Sequence, residues 1–233
     1  MKEILISTRK MTKHYPAGEG KFTALKDITL DFGKGEFTGI VGPSGSGKTT
    51  LLNIIGSLDT QSVGEVIVLG REISSLTTKE SAALRSRDIG FIFQTYNLLP
   101  VYSVYENVEF PLLLLKMPEA DRKKAVTEAL EWVGLTAKIK SRPGQLSGGE
   151  SQRVAIARAM VKKPHIILAD EPTANLDTEN SMNVLQTMQN LNRDMGTTFI
   201  FSTHDAKVIG FLQRKITLVD GMVASDEING AAG

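Results

Sequence analysis

The residues best suited to holding a polyphosphate lie in Gly42-Pro43-Ser44-Gly45-Ser46-Gly47-Lys48-Thr49, which fits the phosphate-binding loop pattern. Its glycines let consecutive backbone N–H groups turn inward on phosphate oxygens, and a helix starting directly after it points its positive end at the same place. Lys48 supplies a mobile charge for the β and γ phosphates, and the Thr49 hydroxyl can ligate Mg²⁺. Far downstream, Leu146-Ser147-Gly148-Gly149-Glu150 precedes a helical stretch at 151–160 and repeats the combination of glycines, serine hydroxyl and helix N-terminus. This second turn reads either as an ordinary serine-glycine helix cap or as another anion cradle. Since the first loop already holds one nucleotide, a second cradle would serve a nucleotide bound to another subunit, making dimerisation a condition of hydrolysis.

Asp170 and Glu171 end an apolar run at 166–169, which places two carboxylates at the carboxyl edge of a sheet, where ligands of open α/β sheets sit. The first can hold Mg²⁺ through its water shell while the second orients or polarises an attacking water. Alone, the pair would read as a cap on the next helix, with Pro172 behind it. The phosphate-binding loop in the same chain favours the chemical reading. Gln94 and His204 each follow an apolar run ending at the same edge, within reach of a γ-phosphate or its water, whereas His14 and His165 read as structural. Tyr15, in Lys13-His14-Tyr15-Pro16, either stacks on a purine or packs on the first strand.

These residues need a scaffold. Residues 4–11 read as a strand, and 28–32 followed by Gly33-Lys34-Gly35 and 36–41 as a hairpin turning into a buried strand that delivers the loop. Beyond it Leu51, Leu52, Ile54, Ile55 and Leu58 share a helical face. Short strands follow at 65–69 and 89–93. From 95 to 162 helical periodicity replaces the β-branched runs, most clearly where Ala125, Val126, Ala129, Leu130 and Val133 share a face, so this stretch reads as a helical insertion. Apolar runs at 166–169 and 198–202 resume a parallel sheet. Asp220-Gly221 signals a closing antiparallel hairpin, and 225–233 is expected to fray. The expectation is one α/β domain over 1–233, its core formed by 1–94 and 163–224 and its helical subdomain by 95–162.

With 27 lysines and arginines against 26 aspartates and glutamates, no overall field draws the chain to nucleic acid or an anionic membrane. The absence of cysteine excludes disulfides and thiolate metal sites. Residues 1–10 lack a signal-peptide core, and no apolar run approaches the ~20 residues of a membrane span. Any membrane association therefore comes through a partner.

Taken in order, these motifs resemble the ATP-binding subunit of an ATP-binding-cassette (ABC) transporter over essentially the whole chain. Residues 42–49 match Walker A, Gln94 the Q-loop glutamine, 146–150 the signature, 166–171 Walker B, Asn175-Leu176-Asp177 the D-loop and His204 the switch histidine; Tyr15 matches the adenine-stacking position. The resemblance implies a P-loop NTPase core with a mixed sheet, an N-terminal antiparallel β-subdomain and an inserted helical subdomain. It implies ATP and Mg²⁺ as cofactors, with Thr50 joining Tyr15 and the 42–49 loop on ATP, and Gln94 joining Thr49 and Asp170 on the metal. It also implies a head-to-tail homodimer in which Ser147, Gly148, Gly149 and Asp177 act on the partner's ATP. Lys48, Gln94, Glu171 as base and His204 on the γ-phosphate form the catalytic set. Glu150 departs from the usual glutamine and is expected to point away from the phosphates.

Segments 91–100, 15–18 and 54–59 most resemble the macrolide-exporter and lipoprotein-releasing (MacB/LolD-like) branch. The expected partner is an integral-membrane permease on a separate chain, which would hold the protein on the cytoplasmic face of the cell membrane; residues 110–115 read either as its docking surface or as burial within the helical insertion. A soluble ATPase of the same fold would be expected to carry a coiled-coil insertion or two cassettes, and a regulatory module without turnover would not need Glu171 and His204.

Overall fold

A computed structural model of the chain describes residues 3–18 and 20–228. Along it, β1 (Ile4–Ala17) and β2 (Gly20–Gly33) lead to β3 (Phe37–Val41), α1 (Lys48–Ile55), β4 (Val63–Val68), β5 (Arg71–Glu72), α2 (Thr78–Asp88) and β6 (Ile89–Ile92). Helices α3 (Val104–Leu114), α4 (Glu119–Trp132) and α5 (Gly148–Met160) follow with no strand between them. The chain then runs through β7 (Ile166–Asp170), α6 (Thr178–Met195), β8 (Thr198–Thr203), α7 (Ala206–Ile209), β9 (Arg214–Val219) and β10 (Met222–Ile228).

The strands form two sheets, an antiparallel one in the order β2-β1-β4-β5 and a mixed one in the order β10-β9-β3-β8-β7-β6. In the mixed sheet β9, β3, β8, β7 and β6 run parallel and β10 closes the edge antiparallel to β9. Both faces of the mixed sheet are covered at its centre, which is why β3, β7 and β8 are buried nearly throughout. Along β7, Ile167 and Ala169 pack with α3, α4, α5 and α6, while Ile166 and Leu168 pack with α1 and the antiparallel sheet. The same two-residue alternation splits Phe199 and Phe201 from Ile200 in β8.

Three expectations change. Residues 28–41 are not a hairpin: β2 pairs with β1, whereas β3 lies in the other sheet between β8 and β9, so the Gly33 to Gly35 turn hands the chain from one sheet to the next. All of β3 is buried, a position that a hairpin partner of β2 would not occupy. Ser225, Asp226, Glu227 and Ile228 do not fray but pair with β9, held by a two-pronged Arg214–Asp226 ion pair at 2.7–2.8 Å and by Lys215–Glu227 at 2.8 Å; 229–233 lie outside the described residues. Leu58 falls beyond α1 and is exposed.

Parallel register gathers the functional residues. Val41 pairs with Thr203, Asp170 with Ser202, and Ile92 with Ala169, so the residues that leave β3, β8, β7 and β6 emerge at one edge.

Candidate active site

A cleft of about 660 Å³ opens at that edge, lined at one end by Tyr15 and at the other by Lys48, Thr49, Gln94, Asp170, Glu171 and His204. Pro43, Ser44, Gly45, Gly47 and Thr50 also line it, whereas Gly42 and Ser46 do not. The loop needs its glycines for two separate reasons. At Gly47 φ is +100° and a Cβ would lie 2.7 Å from the Ala24 carbonyl oxygen, so both conformation and space exclude a side chain. At Gly45 φ is +79° and a Cβ would meet nothing within 4 Å, leaving the backbone open on its cleft side. The Lys48 ammonium donates to the carbonyls of Gly42 at 2.8 Å and Pro43 at 2.9 Å, and lies 3.9 Å from Glu171 Oε1.

At the end of β7 the two carboxylates do different jobs. Asp170 accepts from Thr49 Oγ1 at 3.0 Å and from Ser202 Oγ at 2.5 Å. Glu171 adopts φ +47°, a left-handed conformation that costs a residue with a side chain about 1–2 kcal/mol. Its N–H donates to the same Ser202 hydroxyl at 2.9 Å, which helps hold that conformation. Its carboxylate meets His204 Nδ1 at 2.9 Å; facing a carboxylate, this nitrogen carries the proton. The pair does not cap the following helix, since α6 starts seven residues later and takes Asp177 as its cap. Gln94 sits opposite, its carbonyl accepting from Asn175 Nδ2 at 3.0 Å.

At the far end of the cleft stands Tyr15. The residue sits near the end of β1 and lines the cleft, with its hydroxyl donating to Asp59 at 2.7 Å. Burial and this bond push the tyrosine hydroxyl above its usual pKa, so it remains a donor. Asp59, Ser202 and the cleft-lining Phe22 were not legible as site residues: their signal lies in pairing between distant segments, not in local spacing.

The second glycine turn is a helix cap in full. Ser147 Oγ accepts from the Glu150 N–H at 3.2 Å while Glu150 accepts from the Ser147 N–H at 2.8 Å, a reciprocal capping box on α5. Glu150 also pairs with Lys138 at 3.3 Å, and the Ser147 N–H, chiefly, holds its carboxyl below the usual range. A glutamine accepts equally well at that position, which accounts physically for the exchange. Gly149 has no room for a Cβ, which would lie 2.2 Å from Asn180 Oδ1. Asp177 caps α6 through the Asn180 N–H at 2.9 Å. None of Ser147, Gly148, Gly149 and Asp177 lines the cleft of its own chain.

The chain is similar to known proteins over most of its length. Residues 25–174 match the ABC transporter family. The MJ0796 ATP-binding cassette, solved as a dimer in a post-hydrolysis state bound to ADP and Pi, superposes with a TM-score of 0.88 at 42% identity, covering 97% of this chain and 100% of that one. A second dimeric structure of MJ0796, described as a bacterial ABC transporter cassette, matches equally well. The CbiO1 protein of Clostridium perfringens, part of the CbiONQ transporter complex, gives 0.88 at 28% identity, covering 97% of this chain and 89% of that one. With the family matched over most of its length and a 42% identical cassette covered from end to end, this chain belongs to the ABC transporter family and is one of its ATPase cassettes.

Proposed function

We propose that the cleft binds MgATP with its base on Tyr15 and its triphosphate in the 42–49 loop, and that two copies of the chain hydrolyse it to drive a separate membrane permease. The observation that carries this reading is the convergence of Lys48, the Thr49–Asp170 pair and the Glu171–His204 pair on one sheet edge. Thr49 and Asp170, with the Gln94 amide beside them, are hard oxygen donors too few to enclose a cation, the set that suits an octahedral Mg²⁺ retaining water and phosphate oxygens. Bound there, the ion would neutralise charge on the β and γ phosphates. Lys48 holds the same oxygens as charge builds on the leaving group. His204 Nδ1–H secures Glu171 Oε1, which leaves Oε2 to take the proton from the attacking water.

Ser147, Gly148, Gly149 and Asp177 complete the site of a second copy. This is supported by their place outside the cleft of their own chain and by the dimeric form of the MJ0796 cassettes. Among the described residues no helix is long and apolar enough to cross a membrane. The permease docks instead in a groove of about 470 Å³ between the core and the helical segment, lined by Phe91, Phe93, Phe110 and Pro111 among others. That apolar lining fits the apolar face of a short amphipathic cytoplasmic helix. The groove takes in residues of the 91–100 segment, one of those that carry the MacB/LolD-like resemblance, and of the 110–115 run, and such a permease would hold the chain at the cytoplasmic face. In the 110–115 stretch Leu112 is buried while Leu113 and Leu114 are exposed, so the run divides between packing and surface.

Glu171→Gln tests the reading: turnover is abolished while ATP is retained and the dimer accumulates on gel filtration. Normal steady-state hydrolysis in this variant removes Glu171 from the role of base. Ser147→Arg blocks hydrolysis while each chain still binds ATP, and loss of that binding would place the second turn on its own subunit's nucleotide.

A further inference from the structure

We propose that Asp59 and Lys13 are positioning residues that pin the Tyr15 ring as a one-sided platform for the nucleobase, and that Phe22 is the second wall of that base pocket; the proposal rests on the reading of the cleft as an ATP site. Tyr15 lies two residues from the end of β1, at the tip of the β1–β2 ribbon, where an unanchored ring would be free to turn. It is anchored from outside its own sheet. Asp59, which follows α1, accepts the tyrosine hydroxyl on Oδ2 at 2.7 Å. The carboxylate is itself clasped on Oδ1 by Lys13 Nζ at 2.6 Å and by the Thr60 N–H at 2.7 Å. Lys13 Nζ donates to the Thr60 carbonyl as well, at 2.7 Å, and its side chain is only 10% exposed. Burial alone would raise the Asp59 pKa, yet Lys13, Tyr15 and the Thr60 N–H together hold it below the carboxylate range, so the clasp is ionic at neutral pH.

The same ammonium lies 4.8 Å from the centroid of the Tyr15 ring. A cation at that distance occupies one face of the ring, and a planar base is left the other. Phe22 stands directly across the ribbon from Tyr15, and directly opposed residues of antiparallel strands project from the same side. It lines the cleft and is 56% exposed, so its ring is open to a ligand held there. The base is thus recognised by two aromatic walls, one of which is held by a partly buried ion pair that itself never touches the base.

The contribution of the base to affinity should then depend on Asp59, and that of the phosphates should not. Calorimetric titration of the full chain with ATP and with inorganic tripolyphosphate, both with Mg²⁺, separates the two. Tyr15→Phe, which keeps the ring and removes only its tether, and Asp59→Ala should each weaken ATP by about tenfold, the worth of one charge-assisted hydrogen bond, and leave tripolyphosphate unchanged. KM for ATP should rise while kcat at saturation holds. Because Asp59 acts through the hydroxyl, the double variant should be no more than about twofold weaker than either single one. Phe22→Ala should also weaken ATP alone. Equal losses for tripolyphosphate, full additivity in the double variant, or unchanged ATP affinity in Tyr15→Phe would each overturn the proposal. If Asp59→Ala fails to fold, the Tyr15→Phe arm decides by itself. A wild-type chain that binds tripolyphosphate as tightly as ATP would instead overturn the reading of the cleft.

Discussion

Ser202→Ala removes one oxygen that serves two site residues at once. The hydroxyl is fully buried in β8, donating to Asp170 at 2.5 Å and accepting from the Glu171 N–H at 2.9 Å. An alanine leaves that N–H without a partner, at about 1–3 kcal/mol, and removes a bond to a charged group of about 1.5–3 kcal/mol. Asp170 still has Thr49, and water from the open cleft recovers part of the rest, so the net loss of stability should be about 2–3 kcal/mol. For a chain of this size that lowers Tm by roughly 5–10 °C. The catalytic effect is separate. Glu171 sits at φ +47° with this hydroxyl on its amide, and once released the peptide relaxes toward an ordinary conformation and carries the carboxylate with it. A displacement of about 1 Å at a reacting group costs on the order of a hundredfold in rate. Phosphate release should therefore show kcat down about 10- to 100-fold with ATP affinity nearly unchanged, because Tyr15 and Lys48 are untouched. Ser202→Thr keeps the hydroxyl and should restore most of kcat despite its extra methyl group. An alanine variant that melts early yet turns over normally would refute the link between this hydroxyl and Glu171, as would equal losses of kcat in alanine and threonine.

Glu150→Gln should keep the capping box and lose only the charge facing Lys138, leaving hydrolysis near wild type and stability at pH 7 lower by under about 1 kcal/mol. Because the folded pKa of Glu150 is depressed, its contribution is complete above the ordinary glutamate value of about 4.3 and is lost as pH falls through the folded value. Wild type and variant should therefore converge in denaturant melts as the pH is lowered below 4.3, and a gap that widens on acidification would contradict the assignment. Gln152 is fully buried on α5 with neither amide atom hydrogen-bonded, so Gln152→Met should stabilise the chain by about 1–2 kcal/mol; a lower Tm would mean that the amide has a partner in solution.

How far the molecule was legible depended on whether a signal was local. The apolar runs ending at Asp170 and before His204 carried their strand type and their place at the sheet edge in a few adjacent residues, and the glycine loop announced the helix behind it. Helix α2 escaped notice because its residues are polar all round, with Leu84 its one buried residue; its start was nevertheless marked by the capping pair Thr77 and Glu80. The turn at Gly33-Lys34-Gly35 looks the same whether the chain folds back or crosses to another sheet, and only pairing with β8 and β9 distinguishes the two. Ser202 in an apolar strand and Asp59 in a polar loop gave no sign of their roles. Each acts on a residue more than 30 positions away, at sequence separations of 31 and 44.

Helix α5 begins at the Ser147 cap and spans about 20 Å at 1.5 Å per residue. Near its far end the Arg158 guanidinium grips the carbonyls of Tyr96 and Asn97, in the loop just after Gln94. Just past it Lys162 donates to the carbonyls of Arg85, Ser86 and Ile89, at the junction of α2 and β6. The rod is bolted to the very strand and loop that present Gln94. A shift of either end strains these bonds or carries the other end along. In the proposed dimer Gln94 belongs to the site of its own chain and Ser147 to that of a second chain, so a strut of fixed length would make the state of one site felt at the other.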